Sequence, residues 1–207
     1  MMIIENKMKK TIFWLTISIS TLGLAIYLFY LPPNQFFNKL SGGLDLYGFQ
    51  TELTLSPYPM DDQYGNQQSW KDFSDKPIYI TTGFTACRLT CPITMKFYQQ
   101  MASYTGDKVR YALFTIDPQN DTAIELATYL NAINPDFIGL RTSNTAVFKN
   151  ITSELQQAIY VTGERENIQH RSWIYLIHPK LSGLVIYAKS DINLMINDLK
   201  MIDMQED

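Results

Sequence analysis

The segment GFTACRLTCP, residues 83–92, contains both cysteines of the chain and lies between two predicted elements. Before it, residues 78–82 are β-branched and aromatic, which is typical of a buried strand. After it, apolar residues recur at helical spacing over residues 91–104, and Pro92 stands at a position that favours a helix start. The segment therefore places two thiols at a strand-to-helix junction.

The rest of the pattern alternates strands with helices. We predict strands at 51–55, 109–116, 137–140 and 158–162, and a hairpin in which 173–178 pairs with 184–188. We also predict three further helices. The first follows Asp121 as its N-cap, the second covers 143–157 with Asn144 or Ser143 as its cap, and the third covers 191–202. Residues 56–75 are rich in turn-forming residues, and Trp70 and Phe73 are expected to anchor this region in the core. Such alternation predicts an α/β domain with a central mixed sheet. Cysteines at its first strand-to-helix junction favour a thioredoxin-like fold.

Charge, length and cysteine count limit the classes of function that the chain can have. The 207 residues carry a formal net charge of −3, whereas nucleic-acid binding needs a concentrated basic surface, so no nucleic-acid partner is expected. The length suits one domain with an accessory segment. Two cysteines cannot build a disulfide framework. The pair is therefore one disulfide, one redox couple or one metal site.

An uncharged apolar run occupies residues 11–31. A helix of this length just spans a hydrocarbon core of about 30 Å, whereas the core of a cleaved signal peptide is usually about 7–15 residues long. Lys7, Lys9 and Lys10 precede the run, so the N-terminus is expected to stay in the cytoplasm. We predict a single-pass protein of a bacterial inner membrane, with its main domain in the periplasm.

The predicted organisation has four parts. Residues 1–10 form a cytoplasmic N-terminus, and 11–31 form an uncleaved transmembrane anchor. Residues 32–50, which are punctuated by proline and glycine, form a linker. Residues 51–207 form the thioredoxin-like domain that carries the thiols.

Several chemistries are open to the cysteine pair. Cys91 is expected in the first helical turn, where unpaired N–H groups and the helix dipole favour a thiolate. Two close thiolates can exchange with a disulfide, reduce a peroxide or hold a soft metal. A peroxidase would carry threonine three residues before its attacking cysteine, but Phe84 and Arg88 stand there. The missing threonine weakens the peroxidase interpretation relative to thiol exchange and to a metal site with a third ligand.

The chain contains two histidines, His170 and His178. A predicted strand separates them by about 25 Å, so they cannot both bind one metal ion. His178 follows that strand beside a proline and is interpreted as an exposed turn residue. His170 lies in a polar loop, where the residues alone favour no specific role.

Three blocks of the sequence resemble the SCO/SenC family. GFTACRLTCP is similar to its signature Gly-Phe-Thr-x-Cys-x-x-x-Cys-Pro, and TIDPQNDT at 115–122 resembles its Ser-Ile-Asp-Pro-x-Arg-Asp-Thr stretch. HRSWIYLIHP at 170–179 resembles the block with the family's histidine ligand, in which Tyr-Leu begins five residues after the histidine and proline comes nine after it. The blocks occur in the family's order.

The resemblance implies a membrane-tethered, thioredoxin-like protein that binds one copper ion, Cu(I) or Cu(II), through Cys87, Cys91 and His170. Such proteins are implicated in assembling the copper A centre of cytochrome c oxidase, as non-enzymatic metallochaperones or as thiol reductants of its cysteines. In the second role Cys87 and Cys91 are redox-active thiols. The implied partners are the copper A subunit or another cuproprotein, together with other periplasmic copper chaperones or thiol reductants.

The sequence departs from the family's pattern in three places. Gln169 replaces an aspartate before the histidine, which removes a carboxylate that could orient the ring. Asn120 replaces an arginine, and residues 88–90 between the cysteines add a positive charge. Asp117 and Asp121 are adequately explained by turn and capping roles.

Overall fold

The computed structural model describes residues 14, 18, 20–23, 44–53, 55–161 and 168–205. The chain divides into two compact units, Met1–Asp45 and Leu46–Asp207. In the first unit the described residues from 14 to 23 are helical. Most of the predicted anchor, 11–31, lies outside the described residues. Among the described residues, no helix combines the length and the apolar character needed to cross a membrane.

The second unit is built on a mixed sheet, as predicted. Its described strands are β1 (Phe49–Gln50), β2 (Met60–Asp62), β3 (Gln67–Gln68), β4 (Ile78–Gly83), β5 (Arg110–Thr115), β6 (Ile138–Arg141), β7 (Tyr160–Val161), β8 (Ile168–Gln169), β9 (Ile174–Ile177) and β10 (Leu184–Tyr187). Eight of them form one sheet in the order β1-β10-β9-β4-β5-β6-β2-β3, and β7 pairs with β8 separately. The described α-helices of this unit are α1 (Thr90–Thr105), α2 (Ala123–Asn131), α3 (Thr145–Glu154) and α4 (Ile192–Asp203).

The direction of three central strands decides where the site forms. β4 runs parallel to β5, with Gly83 opposite Thr115, and antiparallel to β9, with Thr81 opposite Ile174. The carboxyl ends of β4 and β5 therefore meet the amino end of β9 at one edge of the sheet. This register brings the cysteine segment beside the residues that precede β9, among them His170.

Alternating side chains of β4 divide the core into two layers. Ile78 and Ile80 belong to a buried cluster that also contains the predicted anchors Trp70 and Phe73. Tyr79 faces the other way, as alternate strand residues must, and its hydroxyl donates to the Met195 carbonyl of α4 at 3.1 Å. Helices thus pack on both faces of the sheet, which is the arrangement expected for an α/β domain.

Two details of the predicted secondary structure are wrong. The first strand is Phe49–Gln50, which pairs with β10, and the described residues of 51–55 are not in a strand. The N-cap of α2 is Thr122, whose side chain accepts from the Glu125 N–H in a reciprocal capping box. Asp121 is instead completely buried, because tertiary contacts occupy its carboxylate. The predicted cap Asn144 is confirmed for α3, and the predicted helix over 191–202 is α4, whose N-cap is Asp191.

His178 is buried, so its interpretation as an exposed turn residue is wrong. Only 3% of it is accessible, and its ring contacts Asp203 of α4. Its Nδ1 accepts from the Lys180 N–H at 3.2 Å, and its Nε2 lies 3.1 Å from an Asp203 carboxylate oxygen. Burial lowers the pKa of His178 below its usual 6.5 despite the nearby Asp203 carboxylate.

The lowered pKa of His178 predicts a loss of stability in acid. Above pH 6.5 the ring is neutral in both the folded and the unfolded chain; as the pH falls below that value, the unfolded chain binds the proton more readily. Replacing His178 with Gln should make the free energy of unfolding less dependent on pH between about 5 and 7.5. Urea unfolding at both pH values measures this effect. A His178→Gln variant with the wild-type pH dependence would contradict it.

Candidate metal centre

Gly83 makes the close packing of the site possible. A Cβ at this position would lie 2.9 Å from the Cys91 Sγ and 2.9 Å from a Leu113 methyl carbon. Real Cβ atoms essentially never lie so close to other heavy atoms. Glycine at this position therefore lets the first turn of α1 pack onto the end of β4. This packing leaves Cys91 only 4% exposed.

The two thiols lie together at the start of α1, as predicted, but in different environments. Cys87 is half-buried in the loop, and its sulfur accepts a hydrogen bond from the Cys91 N–H at 3.4 Å. The hydroxyl of Thr90 lies 3.5 Å from the same sulfur. Helix-start N–H groups therefore point at Cys87, while Cys91 is enclosed by the sheet.

This difference separates the acidities of the two thiols. Burial alone would raise the pKa of Cys87, but hydrogen bonds from Cys91, Thr90 and Leu89 outweigh it and bring the pKa below its ordinary value. Burial raises the pKa of Cys91 to about 12, and the hydrogen bond with Cys87 adds to this effect. Cys87 is therefore the thiol that ionises first and is accessible to a partner.

The loop that carries Cys87 is tied to the next strand by Asp121. One carboxylate oxygen of Asp121 accepts from the Thr85 hydroxyl at 2.6 Å, and the other accepts from the Thr115 hydroxyl at 2.6 Å. The Thr85 N–H also donates to this carboxylate at 3.1 Å. Asp121 thus joins the ends of β4 and β5, a role that the sequence analysis missed because it assigned the residue to a helix cap.

Asp117 has the local turn role that was predicted for it. Its backbone N–H donates to the Thr115 hydroxyl at 3.0 Å, and its carboxylate accepts from the Asn120 amide at 2.8 Å. Asn120, which departs from the family's arginine, thus has a partner within the same turn. Neither residue lines the pocket described next.

His170 lies beside the cysteine segment, directly after β8. Its half-buried ring meets the Phe84 ring edge-on, with 6.2 Å between centroids. One small pocket is lined by His170 and Cys91, together with Thr82, Met95 and other neighbours, but not by Cys87. Burial lowers the pKa of His170 below 6.5, so the ring is neutral at pH 7 and has a lone pair to offer.

The donor chemistry suits a soft metal ion. Thiolates and a neutral imidazole are ligands that Cu(I) accepts, and all three side chains come to the same edge of the sheet. Within the described residues, however, no group of three or more His, Cys, Asp or Glu side chains converges closely enough to hold a metal ion. The structure thus brings Cys87 to Cys91 and Cys91 to the pocket of His170, without a closed three-ligand cage.

Sequence reasoning missed the contribution of Thr90. The residue stands between the cysteines, one position before Cys91, where a hydroxyl at the first helical position can reach back to the loop. That position was the available signal, since Ser and Thr side chains at helix starts commonly bond to nearby loop groups.

Replacing Thr90 with Val should raise the pKa of Cys87, because it removes a hydrogen bond that stabilises the thiolate. At pH 7 the alkylation of Cys87 by iodoacetamide should slow severalfold, as peptide mass spectrometry can follow. Thr94→Val is the matched control, since the Thr94 hydroxyl donates to the Thr90 carbonyl and not to sulfur. Equal slowing in both variants, or faster modification of Cys91 than of Cys87 in the wild type, would contradict this assignment.

Comparison with known proteins identifies the family. The SCO1/SenC family model matches residues 49–202. Protein sco1 of Schizosaccharomyces pombe is 25% identical over 145 residues, which cover 64% of this chain and 54% of that protein. The chain thus spans about half the length of several curated relatives that it matches.

Solved structures share the fold. Arabidopsis thaliana ScoI with copper bound has a TM-score of 0.64 at 21% identity, with 72% of this chain and 98% of that one covered. BsSco, described for a disulfide switch and as a member of the Sco family of cytochrome c oxidase assembly proteins, has a TM-score of 0.63 at 16% identity, with 79% and 98% covered. These likenesses confirm the predicted thioredoxin-like fold. Since the family model covers well over half of its residues, the chain belongs to the SCO1/SenC family.

Proposed function

We propose that this protein is a copper metallochaperone that carries one copper ion on Cys87, Cys91 and His170 and helps to assemble the copper A centre of cytochrome c oxidase. The observation that supports this most strongly is that a neutral imidazole and a buried thiol line one pocket, with a second thiol hydrogen-bonded beside them. Soft thiolates with one imidazole favour Cu(I). Copper is here the cargo.

The different exposures of the three side chains suit transfer. Cys91 is buried, whereas Cys87 and His170 are half-exposed, so a recipient reaches those two donors first. A site with three donors also leaves a coordination position open for a ligand of the recipient. Because the thiols must lose protons to bind metal, copper affinity should fall in acid.

The relatives support the same cargo and target. The Arabidopsis ScoI structure contains copper, and BsSco belongs to a family described by its role in cytochrome c oxidase assembly. Both are similar to this chain in fold, and the chain shares their family. By extension we propose the copper A subunit or another cuproprotein as recipient, with other periplasmic copper chaperones or thiol reductants as partners upstream.

The separated acidities favour a second candidate, a thiol-disulfide reductase for the recipient's cysteines. The Cys87 thiolate would attack one sulfur of the partner's disulfide, forming a mixed disulfide and releasing one partner thiolate. Cys91, after losing its proton, would attack the Cys87 sulfur and release the second thiolate. The partner is then fully reduced, and the protein carries a Cys87–Cys91 disulfide. BsSco is described for a disulfide switch.

The location of the protein belongs to the proposal. We propose that residues 11–31 anchor it in a bacterial inner membrane, that 1–10 remain in the cytoplasm, and that the linker 32–50 holds the domain 51–207 in the periplasm. The lysines before the apolar run and the length of that run support this topology. The first strand, Phe49–Gln50, shares the last residues of the linker.

Copper titration tests the proposed cargo. Under anaerobic, reducing conditions the full chain in detergent should bind one Cu(I), measured by competition with a chromophoric chelator. Cys87→Ser, Cys91→Ser and His170→Ala should each weaken binding by about tenfold or more, equivalent to about 1.4 kcal/mol. His178→Gln is the matched control for a lost histidine and should bind like the wild type.

The outcomes separate the two candidates. A His170→Ala variant that binds Cu(I) as tightly as the wild type contradicts the three-ligand carrier. If the same variant, free of metal, also reduces a copper A subunit disulfide at the wild-type rate, the reductase becomes the better assignment.

Reporter fusions test the topology. Alkaline phosphatase attached after residue 207 should be active, because that enzyme folds only in the periplasm, whereas a green fluorescent protein attached before residue 1 should fluoresce. Changing Lys7, Lys9 and Lys10 to Glu should invert part of the population, since these residues set the orientation. A fluorescent C-terminal fusion with an inactive phosphatase fusion would refute the topology.

A further inference from the structure

Arg171, the residue after His170, is held at both its side chain and its backbone. Its guanidinium carbon lies 4.6 Å from the centroid of the Trp173 ring, within the range of a cation–π contact. Its Nη1 donates to the Gln156 carbonyl at 2.7 Å, and its backbone N–H donates to the Gln157 side-chain carbonyl at 3.2 Å. An exposed arginine with three such contacts cannot move without breaking several of them.

Arg171 donates to Gln156 and Gln157, which follow α3 and form a platform for its side chain and backbone. Gln156 has a φ of 51°, a conformation that turns the chain out of the helix, and the Gln157 N–H donates back to the Thr152 carbonyl at 2.8 Å. The fully buried Tyr175 of β9 donates its hydroxyl to the Leu155 carbonyl at 2.6 Å and bonds to the Gln157 side chain. The platform is thus tied to the central sheet.

The backbone of Arg171 in turn orients the imidazole of His170. The His170 Nδ1 lies 3.1 Å from the Arg171 carbonyl oxygen. A carbonyl oxygen only accepts hydrogen bonds, so Nδ1 must carry the proton and Nε2 keeps its lone pair. The preceding residue is the neutral amide Gln169, so no carboxylate from that position can hold the ring.

We infer that Arg171 is a positioning residue that, through its contacts with Trp173 and Gln156, holds His170 as the Nδ1–H tautomer with Nε2 free to bind a metal ion. Partners of this kind fix the tautomer and ring direction of metal-binding histidines. Here an arginine, anchored by stacking and by a backbone carbonyl, does so through its own peptide group. The consequence for metal binding rests on the proposed copper function, whereas the tautomer does not.

The two histidines allow a direct test in the metal-free protein. His178 accepts at Nδ1 from the Lys180 N–H, so it must be the opposite, Nε2–H tautomer. With ¹⁵N-labelled histidine, ring spectra of the full chain in detergent at about pH 8, where both rings are neutral, should show one tautomer of each kind. Spectra of His170→Ala and His178→Gln assign the signals, and His178 serves as internal control.

Arg171→Ala should shift His170 toward a mixture of tautomers and leave His178 unchanged. Arg171→Lys keeps the positive charge but lacks the planar guanidinium that stacks on Trp173 while donating to Gln156, so it should restore little. Arg110→Lys is a remote control, since Arg110 pairs with Asp75 away from the site. An unchanged His170 spectrum in Arg171→Ala, or full recovery in Arg171→Lys, overturns the assignment.

Copper affinity supplies the second measurement. Removing a group that hydrogen-bonds to a metal-binding histidine typically lowers metal affinity by about 10–100-fold. Arg171→Ala should therefore weaken Cu(I) binding by about tenfold. A shifted tautomer with unchanged Cu(I) affinity refutes the role in metal binding. If the wild-type chain binds no Cu(I), the proposed function fails, while the tautomer measurement still decides whether Arg171 positions His170.

Discussion

The buried carboxylate of Asp121 is the interaction on which the site depends most. It accepts hydrogen bonds from Thr85 in the cysteine loop and from Thr115 at the end of β5, so one side chain joins two neighbouring strand ends. A buried carboxylate is tolerated only when its oxygens are satisfied, because an unpaired charge away from water is very costly. Moving the cysteine loop away from β5 would therefore break hydrogen bonds to a buried carboxylate, which is energetically unfavourable. This constraint determines where Cys87 stands relative to α1.

Around this point the chain creates two thiols with opposite properties. Cys91 is pressed against Gly83 and loses acidity through burial, whereas Cys87 faces the helix start and gains it through hydrogen bonds. His170 lies between β8 and β9, and burial lowers the pKa of its imidazole, which favours the neutral ring. An acidic, accessible sulfur beside an enclosed one suits thiol exchange, and thiolates with a neutral imidazole suit a soft metal ion.

Much of the fold was predictable because it rests on local signals. Short apolar runs rich in β-branched and aromatic residues predicted β4, β5 and the β9–β10 hairpin, and the capping residue Asn144 marked the start of α3. The failures share one cause, which is that the residue's partner is distant in sequence. In sequence Asp121 resembles a helix cap, but in the fold its carboxylate accepts from Thr85; His178 resembles an exposed turn residue, but in the fold it is buried and contacts Asp203 of α4. No periodicity encodes such contacts.

By itself, the sequence determined the family, the α/β class and the three residues that are candidates for binding a metal ion, because the motif blocks and the strand and helix periods are properties of the chain's order. Only the tertiary structure decided which thiol is acidic, how His170 is oriented and what holds the cysteine loop. Those features depend on burial and on hydrogen bonds between segments far apart in the chain, such as Arg171 with Gln156. They arise when the parallel β4–β5 pair and the antiparallel β4–β9 pair bring three segments to one edge of the sheet.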